Sequence, residues 1–484
     1  MTRTSKWLIF TLVAIAQFMV VLDTAITNVA LPTIKQQLHF TTSALQWVVT
    51  AYTLTFGGFL LLGGRAADLF GRKRMLMTGM LAFTFLSLLN GLAHSSVELV
   101  VLRSLQGLSA AFMSPAALST VLVTFRDGSA RNKALSYWTL VATGGAALGL
   151  LLGGMLTQYV GWRWNFFINV PIGIVMTALI GRFVPTYERE EHDTKLDASG
   201  ALLVTSSLML MVLAFSQAPT WGWISRGTVS TLAAAIVLLA GFVFNEARVR
   251  HPLMPLSIFR IRNVRGANII MAPLYATMLG SFFLLTLFLQ GILRLSPTLT
   301  GLAFLPFPIT LAIMSTRMPK LVARYGFRRF LVIGPLVVAS GLLWLTALHS
   351  TSSYWMGILP AAIAMPLGIG MTIMPVIAAA TSGVPGHESG IASGLITTSQ
   401  QMGGSLGLSI LSGVAASITA SSLKLGAITA TIHGYRDAFL VGAGFMLLAS
   451  LVALVIIRGK QALPASETDT RLPRNQQLQS SLGH

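Results

Sequence analysis

Fourteen long apolar stretches dominate this sequence and limit what it can fold into. A helix needs about 20 apolar residues to cross the hydrocarbon core of a bilayer. Because backbone groups in hydrocarbon have no water to bond, such stretches form helices whose hydrogen bonds are internal. The sequence therefore predicts an all-α polytopic membrane protein with fourteen transmembrane helices. The predicted spans are roughly 7–31, 45–64, 75–93, 96–124, 134–158, 165–184, 198–216, 228–245, 267–291, 299–317, 330–348, 354–380, 391–418 and 438–457.

Charged residues are few, and their placement predicts the orientation of the chain. Only 10% of the residues are charged, yet the net charge is +19. The basic residues form short clusters between apolar stretches, which indicates membrane topology and not nucleic-acid binding. Since basic loops favour the cytoplasm, we expect both termini there, with a disordered polar tail at 459–484. The clusters are Arg65 with Arg72–Arg74, Arg126–Lys133, Arg248–Arg265 and Arg317–Arg329.

An internal repeat divides the chain into two halves. The segment RAADLFGRKRML after span 2 resembles KLVARYGFRRFL after span 10, which aligns Gly71 with Gly326. Two six-helix bundles separated by an inserted helix pair explain this pattern, although chance similarity between two basic turns is an alternative. The predicted domains are 1–185 for the N-terminal bundle, 186–262 for inserted helices 7 and 8 with their cytoplasmic linkers, and 263–458 for the C-terminal bundle.

Two ionisable residues lie deep within the predicted spans, both in the first half. Asp23 in span 1 and Arg103 in span 4 lie at about the same depth, about 12 Å below the outer boundary. A charge near the middle of a membrane helix costs roughly 2.5–3.5 kcal/mol, so we expect the two charges to compensate each other. An aspartate between a desolvating membrane and a guanidinium can gain and lose a proton, as a proton-coupled carrier requires. The alternatives are a static pair that fixes helix packing, or Glu98 near the boundary as the acid.

Span 5 carries a row of glycines. Gly145, Gly149 and Gly153 are spaced four residues apart, so one face of this helix is bare. Such a face lets another backbone approach closely. A sliding contact at a gate and ordinary tight packing are equally good interpretations.

Side chains in spans 5, 9 and 13 are candidates for substrate binding. Aromatic and methionine groups with few polar anchors suit a large apolar ligand, but at helical spacing they are also typical of plain packing. The candidates are Tyr137, Trp138, Met271, Phe282, Phe283, Gln290, Gln400 and Gln401.

Four motifs, VLDTAITNVALP, GGRAADLFGRKRML, LRSLQGLSAAFMSP and WRWNFFINVPIG, occur in this order in the first 175 residues. Together they resemble the major facilitator superfamily, and more narrowly its fourteen-helix drug:proton antiporter family. VLDTAITNVALP is similar to the first-helix signature of that family, and GGRAADLFGRKRML to the superfamily loop between helices 2 and 3. LRSLQGLSAAFMSP resembles the helix-4 motif, and WRWNFFINVPIG the segment that opens helix 6. In helix 5 the family usually has a Gly-Pro pair, whereas this chain has Gly149 followed by Leu150, which removes a source of helix kinking.

The resemblance implies a multidrug efflux antiporter of the bacterial cytoplasmic membrane, associated with antibiotic resistance. It implies export of amphipathic, cationic compounds in exchange for protons, by alternating access. Asp23 and Arg103 would take part in proton coupling. Expected partners are a small-molecule substrate, protons and membrane lipids, with no nucleic acid, no cofactor, no metal and a monomeric state. The implied gate loop consists of Gly64, Asp68, Gly71, Arg72 and Arg74.

Other functions fit the same sequence less well. A proton symporter, or a dedicated exporter of one metabolite, lipid or siderophore, would use the same fold. An enzyme is not expected, because the sequence has no paired His/Glu metal motif, no nucleophile elbow and no phosphate loop. The absence of cysteine also excludes disulfides and thiolate metal sites. A receptor or a purely structural membrane protein is a third alternative.

Overall fold

The chain is built from long helices. The computed structural model describes residues 5–125, 128–186, 197–249, 252–384 and 389–457. Fourteen helices in these residues are long and apolar enough to cross a membrane, which confirms the predicted all-α polytopic class. The tail predicted at 459–484 lies outside the described residues. The helices are α1 (Lys6–Gln37), α2 (Trp47–Phe70), α3 (Arg72–Leu92), α4 (Ser96–Thr124), α5 (Gly128–Tyr159), α6 (Asn169–Phe183), α7 (Ala198–Trp221), α8 (Arg226–Arg248), α9 (Arg262–Leu287), α10 (Pro306–Tyr325), α11 (Phe327–Leu345), α12 (Leu359–Thr381), α13 (Ser389–Ser421) and α14 (Ala427–Ile456).

Short helical segments complete four of the spans. Trp164–Phe167 precedes α6 and Pro297–Ala303 precedes α10. The end of α9 widens into a π-helical turn at Phe288–Ile292, and another at Tyr354–Ile358 leads into α12. Single π-helical turns joined to α-helices occur often at functional sites.

The helices pack as two bundles and a hairpin. In the first bundle α2 lies along α4, α1 along α5, and α3 against both α4 and α6. In the second, α9 lies along α13, and α11 against α12 and α14. The hairpin of α7 and α8 rests on both bundles through α2 and α13. Phe83 and Met113 lie in the core of the first bundle, and Phe283 and Phe439 in that of the second.

One turn occurs in both bundles. Gly71 between α2 and α3 has φ of 97°, and Gly326 between α10 and α11 has φ of 76°. Only glycine enters this region of backbone space without strain. Both glycines end one helix and begin the next. This shared geometry supports the internal repeat that the sequence predicts.

Hydrogen bonds join the two bundles mainly on one side. Because the helices alternate in direction, the start of α1 and the end of α14 lie on the same side, here named the terminal side. On the opposite side, here named the far side, uncharged groups of the two bundles meet. These pairs are Thr286 Oγ1 donating to Asn28 Oδ1 at 2.9 Å, Gln290 Nε2 to the Val29 carbonyl at 2.9 Å, the Thr298 amide to Gln158 Oε1 at 3.2 Å, Thr53 Oγ1 with Ser405 Oγ at 2.6 Å, and Ser412 Oγ donating to Gln46 Oε1.

Candidate functional site

Asp23 and Arg103 form a buried ion pair at the centre of the first bundle. Arg103 Nη1 lies 2.5 Å from Asp23 Oδ2. The two side chains are 1% and 0% exposed, so no solvent screens them in this conformer. The expectation that the two charges compensate each other is confirmed by this contact. A buried pair with this geometry offsets part of the large cost of removing both charges from water.

Asp23 accepts hydrogen bonds from two amides as well. Gln106 Nε2 and Asn169 Nδ2 each donate to Asp23 Oδ1 at 3.1 Å. Gln106 lies one turn after Arg103 on α4, and Asn169 is the first residue of α6. The Asp23 carboxylate is thus carried by α1, and its hydrogen-bond donors come from α4 and α6.

Arg103 is held on every side by the same bundle. Its Nε donates to the carbonyl of Val48 at 3.1 Å, and its Nη1 donates to Gln106 Oε1 at 2.7 Å. The guanidinium carbon lies 4.3 Å from the ring centre of Tyr52, within cation–π range. These contacts fix the guanidinium against α2, independently of Asp23.

Further amides and hydroxyls bond to the side chains that hold the pair. Asn90 Nδ2 donates to Gln106 Oε1 at 2.9 Å, and Asn169 Nδ2 lies 3.1 Å from Ser87 Oγ. Ser87 in turn donates to the Phe166 carbonyl at 2.9 Å. Among the described residues, Asn90 Oδ1 and Asn169 Oδ1 are buried acceptors without a hydrogen-bond donor. The network thus contains two spare acceptors, and that of Asn169 belongs to a side chain in contact with Asp23.

The amides around the pair have weaker signals in the sequence. Gln106 is three residues after Arg103, which places both on one helical face. Asn169 lies inside WRWNFFINVPIG, where a polar residue within an apolar span was visible but its partner was not. Glu98, the alternative acid, is exposed: its carboxylate accepts from the His94 amide, while Ser95 accepts from the Glu98 amide. This arrangement resembles a capping box at the start of α4, with the His94 amide in place of the N-cap amide.

The glycine row of span 5 faces α1 within the first bundle. A β-carbon on Gly149 would lie 2.7 Å from Ala25 Cβ, and one on Gly153 would lie 2.8 Å from Ile26 Cα. On Gly145 it would meet Phe18 at 3.2 Å. This placement supports the close-packing interpretation. The approach of α5 to the second bundle involves a different glycine, Gly154, which lies against the backbone of Pro297 and Thr298.

The predicted gate loop lies on the terminal side between α2 and α3. Arg72 Nη2 lies 3.3 Å from Asp68 Oδ1, and the Asp68 side chain is 58% exposed. Gly71 supplies the positive φ of the turn, and Gly64 faces Pro115 of α4. Arg74 is exposed. The role of this loop as a gate stays a prediction.

The candidate substrate residues do not form one cluster. Tyr137 lies on the terminal side in an aromatic group, 5.6 Å from Trp7 and 6.4 Å from Phe10 between ring centres, while Trp138 packs against the first bundle's core. Met271 and Phe283 are buried in the core of the second bundle.

The other four candidates lie at or near the boundary between the bundles. Phe282 packs on Phe304 and Phe307, and Gln290 donates to the Val29 carbonyl. Gln400 Nε2 lies 3.6 Å from Met271 Sδ, and Gln401 lies beside Gly57 of α2. Their part in substrate binding remains a prediction.

Comparison with known proteins gives a consistent result over nearly the whole chain. The family model described as Major Facilitator Superfamily matches residues 13–408. The puromycin resistance protein pur8 of Streptomyces alboniger is 39% identical over 463 residues, which cover 93% of this chain and 91% of that protein. The cephamycin export protein CmcT of Amycolatopsis lactamdurans is 36% identical, covering 91% of this chain and 90% of that protein.

A solved structure shows the same fold. The bacterial homologue of the human lysosomal transporter Spinster, in an inward-facing and unoccupied conformation, matches with a TM-score of 0.66 at 15% identity. The match covers 96% of this chain and all of that one. At this identity the likeness concerns the fold alone.

Proposed function

Since this chain belongs to the Major Facilitator Superfamily and is not an enzyme, we propose that it is a proton-coupled multidrug efflux antiporter. It exports amphipathic, cationic compounds across the bacterial cytoplasmic membrane by alternating access. The names of the two relatives refer to puromycin resistance and to cephamycin export. These names support efflux, and proton coupling rests on the site.

The observation that carries the coupling is the Asp23–Arg103 pair. It is fully buried in this conformer, so a proton reaches Asp23 only if the helices around it move. Proton exchange at Asp23 therefore requires a conformational change. When one proton is exchanged for one singly charged cation, the membrane potential acts equally on both, so export is driven by the pH gradient, about 1.4 kcal/mol per pH unit, if proton and substrate compete.

The network can hold Asp23 in both protonation states. As a carboxylate, Asp23 accepts from Arg103, Gln106 and Asn169. A protonated Asp23 needs an acceptor instead, and rotation of the Asn169 amide would present its unpartnered Oδ1. Arg103 keeps the Val48 carbonyl and the Tyr52 ring when the charge on Asp23 is lost.

The remaining assignments are part of the same proposal. The basic clusters support a cytoplasmic position for both termini, in which the terminal side faces inward and the far side faces outward. The gate loop around Asp68 and Arg72 then borders the cytoplasm. Phe282, Gln290, Gln400 and Gln401 are the candidates that border the path between the bundles. The chain acts as a monomer with protons, substrate and lipids as its partners.

Flux in liposomes tests the proposal. The purified chain is reconstituted with a fluorescent lipophilic cation, and a proton gradient is imposed. We expect the dye to move against the direction of proton flow, and Asp23→Asn to exchange dye without any response to the gradient. Dye that follows the proton would favour the symporter. An unchanged gradient response in Asp23→Asn would favour the static pair.

Two further variants separate coupling from folding. Asp23→Asn leaves the Arg103 charge buried without its counter-ion, so its thermal stability is measured alongside flux. Asp23→Glu retains a carboxyl and is expected to retain part of the gradient response. Glu98→Gln removes an exposed carboxylate at the start of α4 and is expected to transport like the unmodified chain.

A further inference from the structure

A second pair of buried acids lies where the hairpin meets the first bundle. Asp197 precedes α7 as its N-cap residue, and Glu246 lies in the last turn of α8. Their side chains are 4% and 3% exposed, so both have lost most of their water. Neither residue belongs to the Asp23 network. Both lie on the terminal side.

The two carboxyl groups have very different partners. Asp197 Oδ1 accepts from Ser199 Oγ at 2.7 Å and from the Gly200 amide at 2.8 Å, and its Oδ2 accepts from Asn245 Nδ2 at 2.8 Å. Glu246 Oε2 accepts from the Met254 amide at 2.9 Å. Glu246 Oε1 is buried and has no hydrogen-bond donor among the described residues.

The unpartnered oxygen of Glu246 shares a small space with an Asp197 oxygen, and the two side chains lie within hydrogen-bonding reach. Asp197 Oδ2 and Glu246 Oε1 lie 2.5 and 2.8 Å from the position that a β-carbon on Gly200 would occupy. Ionised carboxylates only accept hydrogen bonds, so two ionised oxygens would repel each other here. A proton on Glu246 Oε1 turns it into a donor to Asp197.

The surroundings identify which acid holds the proton. Burial raises the pKa of Asp197, but hydrogen bonds from Ser199, Gly200, Asn245 and Glu246 outweigh it and hold that pKa below its ordinary value. Asp197 is therefore the base of the pair and Glu246 the acid. The pair then carries one negative charge.

Arg65 of α2 faces this single negative charge. Both acids interact electrostatically with Arg65, and so does Asp68. Arg65 Nη2 donates to the Pro252 carbonyl, in the segment between α8 and α9. Leu62 of α2, Ala201 of α7 and Leu253 of that segment pack together beside the acids.

The same segment also contacts the second bundle. Met254 and Ile258 pack in one cluster with Ala392 and Leu395 of α13. The acid pair is thus where the hairpin, α2 and the connection to the second bundle meet. A change in its charge acts on all three.

We propose that Asp197 and Glu246 form a second proton-binding site, which holds one shared proton and fastens the hairpin to α2 and to the 252–258 segment. Loss of the proton makes the pair doubly negative, so the two acids separate and the contacts around Met254 and Pro252 weaken. The inference relies on the conformational switching of the proposed transporter. It does not require that Asp23 carries the transported proton.

Infrared difference spectroscopy detects the shared proton directly. The purified full chain is titrated from mildly acidic to alkaline pH, and the carbonyl stretch of protonated carboxyl groups is followed. We expect a band that persists at neutral pH, disappears at alkaline pH and is missing in Glu246→Gln. Glu98→Gln is the control and should keep the band. A spectrum unchanged by Glu246→Gln would overturn the proposal.

Distance measurements test the fastening. The chain has no cysteine, so spin labels at Phe70→Cys on α2 and Phe244→Cys on α8 report without background. We expect the distance to shift between neutral and alkaline pH. Glu246→Gln should remain at the neutral-pH distance throughout, because its amide still donates to Asp197 and cannot ionise.

The outcomes separate this site from the Asp23 proposal. The fastening would be refuted if the spin-label distance changed equally with pH in Glu246→Gln and in the labelled chain without that substitution. It would also be refuted if the distance did not change with pH in either protein. If the spin-label distance at neutral pH is the same with and without Glu246→Gln, the variant is folded. A lost gradient response in Asp23→Asn with an intact infrared band would support both sites, whereas an unaltered gradient response would refute only the role of Asp23.

Discussion

The two bundles share helices and a turn but bury different kinds of polar group. The first bundle encloses the Asp23–Arg103 ion pair, whereas the buried polar side chains described in the second bundle are all uncharged. Ala323 stands where the repeat aligns Asp68, and Ala364 lies near the position of Arg103. Replacing one partner of the ion pair in the first bundle therefore leaves the other charge buried and uncompensated. In the second it costs one neutral hydrogen bond.

The largest difference in stability loss between the bundles is expected when the ion pair itself is broken. Arg103→Gln leaves Asp23 buried without a counter-ion, which costs about 3–5 kcal/mol. Ser399→Ala in α13 removes only the 2.7 Å bond from Ser399 Oγ to Asn268 Oδ1, worth about 1 kcal/mol. Thermal unfolding in detergent should show a much larger loss for Arg103→Gln. Equal losses would mean that the two bundles do not differ in this way.

An added β-carbon at a close helix–helix contact should lower stability equally in both bundles. Gly153→Ala in α5 forces a β-carbon against the backbone of α1, and Gly403→Ala in α13 does the same against Ala272 of α9. Each should lower stability by about 1–3 kcal/mol. Gly144→Ala is the matched control, because nothing lies within 4 Å of its β-carbon. A loss in that control would mean that helix packing does not decide the effect.

The shared turn offers a symmetric test with a smaller effect. Gly71 and Gly326 have open space around them, so alanine at either position costs only backbone strain, about 1–2 kcal/mol. Thermal unfolding of Gly71→Ala and Gly326→Ala should show similar losses. A clear difference between the two would argue against equivalent turns.

The smallest effect concerns the hairpin, which belongs to neither bundle. The pKa of Asp197 is lowered in the folded chain. Its ionised form therefore stabilises the fold at pH values above the unfolded pKa of about 3.9. This stabilisation is lost as the pH falls through the lower pKa of the folded chain. Asp197→Asn should lose about 1 kcal/mol or less at neutral pH. The stability gap to the unmodified chain should close in acid. A gap that widens in acid would contradict the assignment.

The fold and the central ion pair were predictable from sequence because their signals are large. Fourteen apolar stretches admit few folds, and two charges at one depth have to meet or be neutralised. The amides of Gln106 and Asn169 were harder to assign, because uncharged polar side chains are common in membrane helices. Their partners depend on helix rotation, which is set by packing.

The second acid pair gave no comparable signal. Asp197 and Glu246 lie at the ends of their spans, where charged residues are ordinary and usually meet water. Their burial depends on how the segment from Pro252 to Ile258 folds over them. Hydropathy carries no information on such a contact between distant parts of the chain.

The uncharged character of the far-side contacts has an electrical consequence. Asn28 with Thr286, Gln290 with Val29 and the other three pairs can each exchange their partner for water at a cost of about 1 kcal/mol. Parting them displaces no formal charge through the transmembrane field. The rate at which this side opens should therefore respond little to voltage or ionic strength.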